Sequence, residues 1–446
     1  MNKFSAFFAA IGAWVKNAAV AIVKWFKNWA VPVDGKEIIP VRIAKWFKSL
    51  FVATDGLDEP RLKTLAKSKK FQTILASVLC AVAGLILGFV VMLFISPAHA
   101  GEGILTVIKN FLNYKRPNLR SYYFGSTLVK AAPLILCGLS VLFAYKAGLF
   151  NIGAAGQYTV GICACLFCAL AWNMPWYLCV LFAILVGGLW GALSGALKAV
   201  FGINEVIACI MTNWIGLYLT NIILADPRVM NGTLSETHPL ASNNPDALLP
   251  SLGLDKLFNN NQYVTIALII TIIVAVAIKI VLDKTTFGYE LKATGLNKHA
   301  AKYVGMKDKR NVILTMAIAG GLAGLAAAMY YLTGIQNWKT SSSVPAMGFN
   351  GIAVAFLGGL DPIGTIFAGY FIQHITSGGG SLDTAYFNPQ VADLIVALII
   401  YLCAFVLLFR DILAKRMQRK APEQVAVPVN DSSATDEEEE KEEAND

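Results

Sequence analysis

The sequence contains little charge for its length. Asp, Glu, Lys and Arg together make up 15% of the 446 residues, whereas soluble proteins carry about 25%. Hydrophobic residues account for 56% of the chain, and the mean hydropathy is +0.59. This composition excludes an ordinary soluble protein and favours one large membrane domain. The net charge of +9 does not indicate nucleic-acid binding, because the basic residues lie between and beyond the apolar runs rather than along one stripe.

The sequence also lacks the signatures of an active site. It contains no GxxxxGK(S/T) phosphate-binding loop, no HExxH, no GxSxG and no Cys/His zinc spacing. The four histidines are scattered, and the eight cysteines all fall inside apolar segments, where they serve as small apolar side chains. We therefore predict that the chain is not an enzyme and uses no metal or cofactor.

Long apolar runs dominate the chain instead. A helix needs about 20 mostly apolar residues to cross the hydrocarbon core. By that rule, spans are predicted at 71–95, 128–147, 155–172, 176–197, 205–224, 263–282, 311–333 and 390–409. A further run, 346–376, is too long for one span, and GGLDPIG at 358–364 divides it, because Asp361 suits an N-cap and Pro362 a first helical residue. The sequence therefore predicts an all-α polytopic membrane protein of about ten transmembrane helices, some short or broken.

Basic residues set the predicted orientation. Lys and Arg concentrate just before residue 71, in 283–310 and after 409, and such segments lie in the cytoplasm. An even number of spans then places both termini in the cytoplasm. The segments 225–262 and 377–389 are poor in basic residues and are predicted to be extracytoplasmic. We place 96–127 on the same side, with ILTVIKNFLNY as an interfacial helix.

The two ends of the chain differ from the apolar domain at 71–410. Residues 1–70 form a basic extension in which VKWFKNW is followed by AKWFKSL, and we interpret it as an amphipathic helix lying on anionic lipid in the cytoplasm. An alternative is a weak extra span at Phe4–Val23. Residues 411–446 end in DEEEEKEEAND and are predicted to be a disordered cytosolic tail.

Amides supply most of the polar groups within the apolar runs. Carboxylates stand only at the ends of predicted spans, which disfavours an ion-coupled carrier, although a stand-alone carrier or channel remains an alternative. In LFNIGAAGQ, residues 149–157, two amides and two glycines interrupt an apolar stretch. We interpret the glycines as allowing a tight reversal. The amides either bind a neutral polar solute or join helices and freed backbone groups.

The segment 283–310 contains the most informative cytoplasmic sequence. Within it, LNKHAAKYVGM predicts a short amphipathic helix that ends at Gly305. Such a helix is too polar to span the membrane. It either docks into a groove on another protein or lies among lipid headgroups.

Four motifs together resemble a known family. They are LFNIGAAGQ at 149–157, GINEVIACIMTNWI at 202–215, ATGLNKHAAKYVGM at 293–306 and GFNGIAVAFLGGLDPIG at 348–364. They look like those of permease subunits of ATP-binding cassette (ABC) importers in the branched-chain amino acid, ribose and nucleoside permease superfamily. The branch most similar works with basic-membrane-protein-type lipoprotein receptors. The resemblance covers roughly residues 70–410.

The resemblance implies a function and a set of partners. The function is ATP-driven import of a neutral polar solute, a (purine) nucleoside, through the bacterial cytoplasmic membrane by alternating access. The ATP is hydrolysed on a separate ATPase subunit, a second related permease completes a heterodimer, and an extracytoplasmic lipoprotein receptor delivers the solute. The same machine for a sugar, a riboflavin-like vitamin or an amino acid is the alternative.

The resemblance also implies roles for particular residues. The coupling helix that receives the ATPase stroke contains Asn297, Ala300, Ala301 and Gly305. The substrate pathway contains Phe150, Asn151, Gln157, Asn213, Phe349 and Asn350. Gate or packing positions are Gly153, Gly156, Asn204, Glu205 and Asp361. The chain departs from the family at Ala155, where Glu is common, and at Thr212, where Leu commonly precedes the Asn, and both departures bear on the identity of the solute.

Overall fold

The computed structural model describes residues 69–388, 390–403, 405–406, 408–409 and 411. The predictions for the basic extension and for the acidic tail lie outside the described residues.

Helices make up most of the described chain. From the N-terminal side they are α1 (Lys69–Ile95), α2 (Ala100–Lys109), α3 (Pro117–Lys146), α4 (Ala154–Leu170), α5 (Trp176–Phe201) and α6 (Glu205–Leu224). A small antiparallel hairpin, β1 (Met230–Asn231) and β2 (Glu236–Thr237), precedes the one-turn helices α7 (Leu240–Asn243) and α8 (Leu254–Leu257). The second half contains α9 (Ala267–Lys284), α10 (Thr286–Leu296), α11 (Lys298–Tyr303), α12 (Asp308–Tyr331), α13 (Ala346–Leu357), α14 (Pro362–Gly379) and α15 (Gln390–Cys403). Two 3-10 turns, Asn110–Asn113 and Pro245–Ala247, complete the set.

Helix length and composition confirm a polytopic membrane protein. In the described residues, five helices are long and apolar enough to cross a membrane: α1, α3, α5, α6 and α12. Three shorter apolar helices, α4, α13 and α15, accompany them. The most buried of the long helices are α3 and α12, whereas α1, α5 and α6 expose much of their apolar surface.

Close backbone contact holds α5 against the buried α12. A Cβ atom added to Gly191 would lie 2.1 Å from the Met316 carbonyl oxygen, and one added to Gly320 would lie 2.2 Å from the Gly187 carbonyl oxygen. Neither position can accept a side chain without separating the helices. Glycine at these positions therefore allows two spans to pack at backbone distance, as is common in membranes.

Most predicted spans coincide with helices, and one belongs to a longer helix. The span predicted at 128–147 coincides with the C-terminal part of α3, which begins at Pro117 and runs for 30 residues. Proline is well suited to the first turn of a helix, and the polar, tyrosine-rich segment that follows continues the helix beyond the apolar run. Length of the apolar run alone therefore underestimates this helix.

The predicted division of the run 346–376 is correct. Helix α13 ends at Leu357, and Asp361 caps α14 by accepting hydrogen bonds from the Ile363 and Gly364 backbone N–H groups at 3.0 and 3.4 Å. Pro362 is the first residue of α14. The N-cap and proline signals thus located a turn that hydropathy did not reveal.

Candidate functional site

The chain between α3 and α4 folds back alongside α3 instead of ending at its tip. Gly148 has a φ of +72°, which reverses the chain, and the Leu149 N–H donates to the Ala144 carbonyl at 3.1 Å. Asn151 then reaches Ser140, which precedes the end of α3 by six residues, or about 9 Å of helix. Helix α4 therefore begins alongside α3 rather than beyond its end. Non-helical backbone within the depth of a membrane span is tolerated only when protein or a water-filled cavity covers it.

The two amides of this re-entrant segment bind each other. Asn151 and Gln157 are both 0% exposed. The Asn151 Nδ2 donates to Gln157 Oε1 at 2.9 Å, and the Gln157 Nε2 donates back to Asn151 Oδ1 at 3.1 Å. Asn151 Nδ2 also donates to the Ser140 hydroxyl at 3.1 Å, and that hydroxyl donates to the Ala319 carbonyl of α12 at 2.6 Å. In this conformation the pair joins α3, α4 and α12.

Asn213 of α6 satisfies the backbone groups that the break leaves free. Its Oδ1 accepts from the Gly156 N–H at 2.8 Å, and its Nδ2 donates to the Ile152 carbonyl at 3.1 Å. Both groups lie at the unpaired N-terminal end of α4. A Cβ atom on Gly156 would lie 2.6 Å from the Asn213 Cα, so glycine is needed for this approach. Gly153 is also tightly packed, since its Cβ would lie 2.8 Å from the Cys209 Sγ.

A second helix begins beside the start of α4. A Cβ atom on Gly348, in the first turn of α13, would lie 2.4 Å from both the Cα and the N of Ala155. Helix α13 has only 12 residues, and its first turn therefore meets the first turn of α4 at the depth of Asn213. That residue follows Glu205 by eight positions, about 12 Å along α6. Two broken helices thus present their N-terminal ends at one place inside the bundle.

The side chains around this junction differ in accessibility. Asn151, Gln157 and Asn213 are buried and hydrogen-bonded within the protein. Phe349, in the first turn of α13, is 38% exposed, and Asn350 is half-buried. Helix N-termini offer unpaired N–H donors and a partial positive charge, which suit the hydrogen-bond acceptors of a polar solute. The junction therefore combines an aromatic surface, an amide and helix N-termini.

Ala155, one of the two positions at which the sequence departs from the family motifs, lies inside this junction. Ala155 is fully buried beneath the first turn of α13. Thr212 also has a local role, because its hydroxyl lies 3.3 Å from that of Ser194 and its carbonyl accepts from the Trp190 indole N–H at 3.3 Å. Thr212 thus ties α6 to α5, next to Asn213.

Two of the residues predicted as gate or packing positions, Asn204 and Glu205, have clear local contacts at the N-terminal end of α6. Asn204 is the N-cap of α6, and its Oδ1 accepts from the Val206 N–H at 2.8 Å. Glu205 forms an ion pair with Lys198 at 2.5 Å. The half-buried Phe150 lies beside the same carboxylate through its backbone. These contacts fix the tight turn between α5 and α6.

The predicted cytoplasmic helix is present as α11. Asn297 caps it by accepting from the Ala300 N–H at 3.0 Å, and Gly305 follows it with a φ of +85°. Ala301 is buried, whereas Ala300 is exposed. The large exposed side chains are neighbours that sequence reasoning did not select: Leu296 is 88% exposed and Tyr303 is 94% exposed. Both side chains are therefore accessible to another molecule.

Helix α10, which leads into α11, contacts the reversal at the start of the re-entrant segment. A Cβ atom on Gly295 would lie 2.6 Å from the Gly148 backbone nitrogen, and one on Gly148 would lie 2.9 Å from the Gly295 Cα. The two backbones therefore touch directly. Nothing in the sequence pattern linked these glycines, because they are far apart in the chain.

Asp361 sits at the turn between α13 and α14 rather than at the junction. Burial raises the pKa of its carboxyl, but the ammonium of Lys279 and the N–H groups of Ile363 and Gly364 outweigh that effect and hold the pKa below its ordinary value. The charged carboxylate is thus a structural acceptor in this turn.

Other parts of the described chain do not resemble a solute or metal site. A cavity of about 380 Å³ between α4, α5 and α6 has an almost entirely apolar lining, and the hydroxyl of its Thr220 donates to the Thr159 carbonyl at 3.3 Å. It does not suit a polar solute. Across the described residues, no group of three or more His, Cys, Asp or Glu side chains is placed to hold a metal ion.

The apolar bundle and its broken helices define a polytopic membrane protein. Comparison with known sequences agrees. The chain belongs to the family described as branched-chain amino acid transport system / permease component, whose profile matches residues 123–404.

Named relatives cover most of the chain. It is 32% identical to the guanosine ABC transporter permease protein NupP of Bacillus subtilis (strain 168) over 362 residues, which are 79% of this chain and 99% of NupP. It is 32% identical to the nucleoside ABC transporter permease protein NupB of Lactococcus lactis subsp. cremoris (strain MG1363) over 80% of this chain and 97% of NupB. A second guanosine ABC transporter permease protein of the same Bacillus strain, NupQ, is 27% identical over 55% of this chain and 78% of NupQ. No solved structure matches the chain.

Proposed function

We propose that the chain is a permease subunit of an ABC importer that moves nucleosides through the bacterial cytoplasmic membrane. The observation that carries this proposal is the similarity to NupP and NupB over nearly their whole lengths. In this proposal α9 and α14 also span the membrane, which gives ten spans, and both termini lie in the cytoplasm.

The junction of α4 and α13 is the proposed solute site. A nucleoside has an aromatic base, which can stack on Phe349, and acceptor atoms that can bind Asn350 and helix N–H groups. Broken helices near the middle of the bilayer form solute sites in other transporters. We place Phe150 at the cytoplasmic end of the solute path that leads to this junction.

Asn151, Gln157 and Asn213 have a different proposed role. Every hydrogen-bonding atom of the Asn151–Gln157 pair has a partner in the protein, and Asn213 is bound to the backbone of the break. We infer that these three amides hold the re-entrant segment in place. Gly153, Gly156, Asn204 and Glu205 support the same segment through packing, a cap and an ion pair.

ATP hydrolysis is proposed to occur on a partner subunit that docks against α11. Leu296 and Tyr303 provide an exposed apolar contact for it, while Asn297, Ala300, Ala301 and Gly305 give α11 its shape. A displacement of α11 also displaces Gly295, which precedes it in the chain. Because Gly295 contacts the backbone of Gly148, the re-entrant segment moves together with α11. Alternating access then follows from rocking around the junction.

Two further partners complete the proposed machine. Bacillus subtilis contains two guanosine permease proteins, NupP and NupQ, and by analogy a second permease pairs with this chain as a heterodimer. An extracytoplasmic lipoprotein receptor delivers the solute, and the surrounding lipid contacts the exposed apolar helix faces.

A sugar is the second candidate solute. The chain is also 31% identical to the glucose ABC transporter permease protein TsgB13 of Haloferax volcanii over 290 residues, which are 62% of this chain and 75% of TsgB13. A sugar lacks the aromatic base, so removing the Phe349 ring distinguishes the two solutes.

Uptake into proteoliposomes tests the proposal. The chain is reconstituted with its ATPase, second permease and receptor, and labelled guanosine and glucose are offered with and without ATP. We expect ATP-dependent guanosine uptake that Phe349→Ala reduces at least tenfold. Uptake of guanosine by this chain alone, without ATP, would contradict the proposal and favour a stand-alone carrier.

A further inference from the structure

A chain of ion pairs joins three separate elements at the cytoplasmic surface. Asp361, in the turn before α14, forms an ion pair with Lys279 of α9 at 2.5 Å. Lys279 also pairs with Asp283 at 3.3 Å, and Asp283 pairs with Lys292 of α10 at 3.4 Å. We call these four residues the ion-pair chain.

The ion-pair chain is anchored at its far end by the backbone. While one oxygen of Asp361 accepts from Lys279, the other accepts from the first N–H groups of α14. A displacement of Lys279 therefore acts on the first turn of α14. The ammonium of Lys146, at the end of α3, lies within electrostatic reach of all four members, attracted by the two carboxylates and repelled by the two ammonium groups.

The other end of the ion-pair chain, Lys292, lies on α10, the helix that leads into α11. Lys292 is in the second half of α10, one turn before Gly295. Single exposed ion pairs contribute little, but side chains already ordered by one partner lose less entropy in binding the next. Both inner members of the chain have two partners, so the four residues act as one connection.

We propose that the ion-pair chain transmits the displacement of α10 to α14, as a second route beside the contact of Gly295 with Gly148. This proposal rests on the proposed function, in which a partner ATPase moves α11. One route moves the re-entrant segment before α4, and the other moves the helix that follows α13. Both sides of the α4–α13 junction then respond to the same stroke, and Lys279, Asp283 and Lys292 are positioning residues for transport.

Two conservative variants interrupt the chain without removing a helix cap. Asp361→Asn keeps an oxygen that can cap α14 but loses the charge that binds Lys279. Lys292→Met keeps the length of the side chain and loses the ammonium. In proteoliposomes with the complete transporter, guanosine uptake and ATP hydrolysis are measured in the same sample. We expect each variant to hydrolyse ATP within twofold of the wild-type rate, while guanosine molecules imported per ATP fall at least fivefold. The double variant should fall no further than the worse single variant.

Arg228→Met is the matched control, because it breaks an exposed ion pair with Asp226 between α6 and β1 that is outside the chain. Arg228→Met should import as many guanosine molecules per ATP as the wild type. If both Asp361→Asn and Lys292→Met import the wild-type number of guanosine molecules per ATP, the proposed transmission through the ion-pair chain is overturned. Additive losses in the double variant would overturn it as well. If Asp361→Asn does not assemble into the complete transporter, the result for Lys292→Met alone tests the ion-pair chain. Absence of ATP-driven guanosine uptake in the wild type would instead contradict the proposed function.

Discussion

Replacing the buried amide pair separates a packing role from a solute-binding role. In Gln157→Leu, the Asn151 Oδ1 loses the donor that lies 3.1 Å away and stays buried without a partner. An unsatisfied buried polar atom costs about 1–3 kcal/mol. In the double variant Asn151→Leu/Gln157→Leu both amides are gone, and Ser140 keeps its hydrogen bond to the Ala319 carbonyl. Replacing both partners with apolar groups of similar size can be nearly neutral. The double variant should therefore be more stable than Gln157→Leu.

Two measurements on the purified transporter check this prediction. Thermal unfolding in detergent should give a lower midpoint for Gln157→Leu and a partial return toward wild type in the double variant. The KM for guanosine uptake should stay within about threefold of wild type in the double variant, since the pair does not bind solute. A double variant that is as stable as wild type but has lost uptake would refute the reasoning and place these amides on the solute path.

Three further substitutions test other parts of the site. Gly348→Ala places a Cβ atom 2.4 Å from Ala155 and should cost about 1–3 kcal/mol by overpacking, measured as a lower unfolding midpoint, while Gly101→Ala, with no atom within 4 Å, should cost nothing. Tyr303→Asp changes a side chain that is 94% exposed, so the unfolding midpoint should stay constant while co-purification of the ATPase is lost; retained ATPase would contradict docking at α11. The lowered pKa of Asp361 means that its charged form stabilises the fold above the unfolded pKa of about 3.9 and that this contribution disappears as pH falls through the folded pKa. Unfolding midpoints of wild type and Asp361→Asn should therefore differ at pH 7 and converge in acid, and a difference that persists in acid would exclude the charge as its cause.

Local signals predicted the parts of the fold that local chemistry determines. The apolar run 205–224 coincides with α6, and Asp361 and Pro362 located the turn before α14, since a cap and a proline act within one helical turn. Gly305 marked the end of α11 in the same way. These features need no information from distant residues.

Contacts between distant segments were beyond sequence reasoning. The depth at which α4 begins depends on Asn213, which comes from another helix. The amides of LFNIGAAGQ were expected to bind solute or to join helices and freed backbone groups; they join helices, but by binding each other, because the reversal at Gly148 brings residue 151 back beside Ser140. The contact of Gly148 with Gly295 joins two loops that no periodicity connects. The sequence also does not show which individual side chains of α11 and its neighbours are exposed. For that reason Leu296 and Tyr303 were missed beside the predicted Ala300 and Ala301.

Thiol labelling at the junction tests the central claim most directly. Ala346→Cys places a thiol at an exposed position in the first turn of α13 and leaves Phe349 and Asn350 in place, and the wild-type chain gives the background from native cysteines. In the complete transporter, the account predicts that guanosine slows labelling of this thiol and that a non-hydrolysable ATP analogue changes the rate again as the junction opens or closes. A labelling rate that neither guanosine nor nucleotide alters, in a transporter that still imports guanosine, would contradict a solute site where α4 and α13 meet.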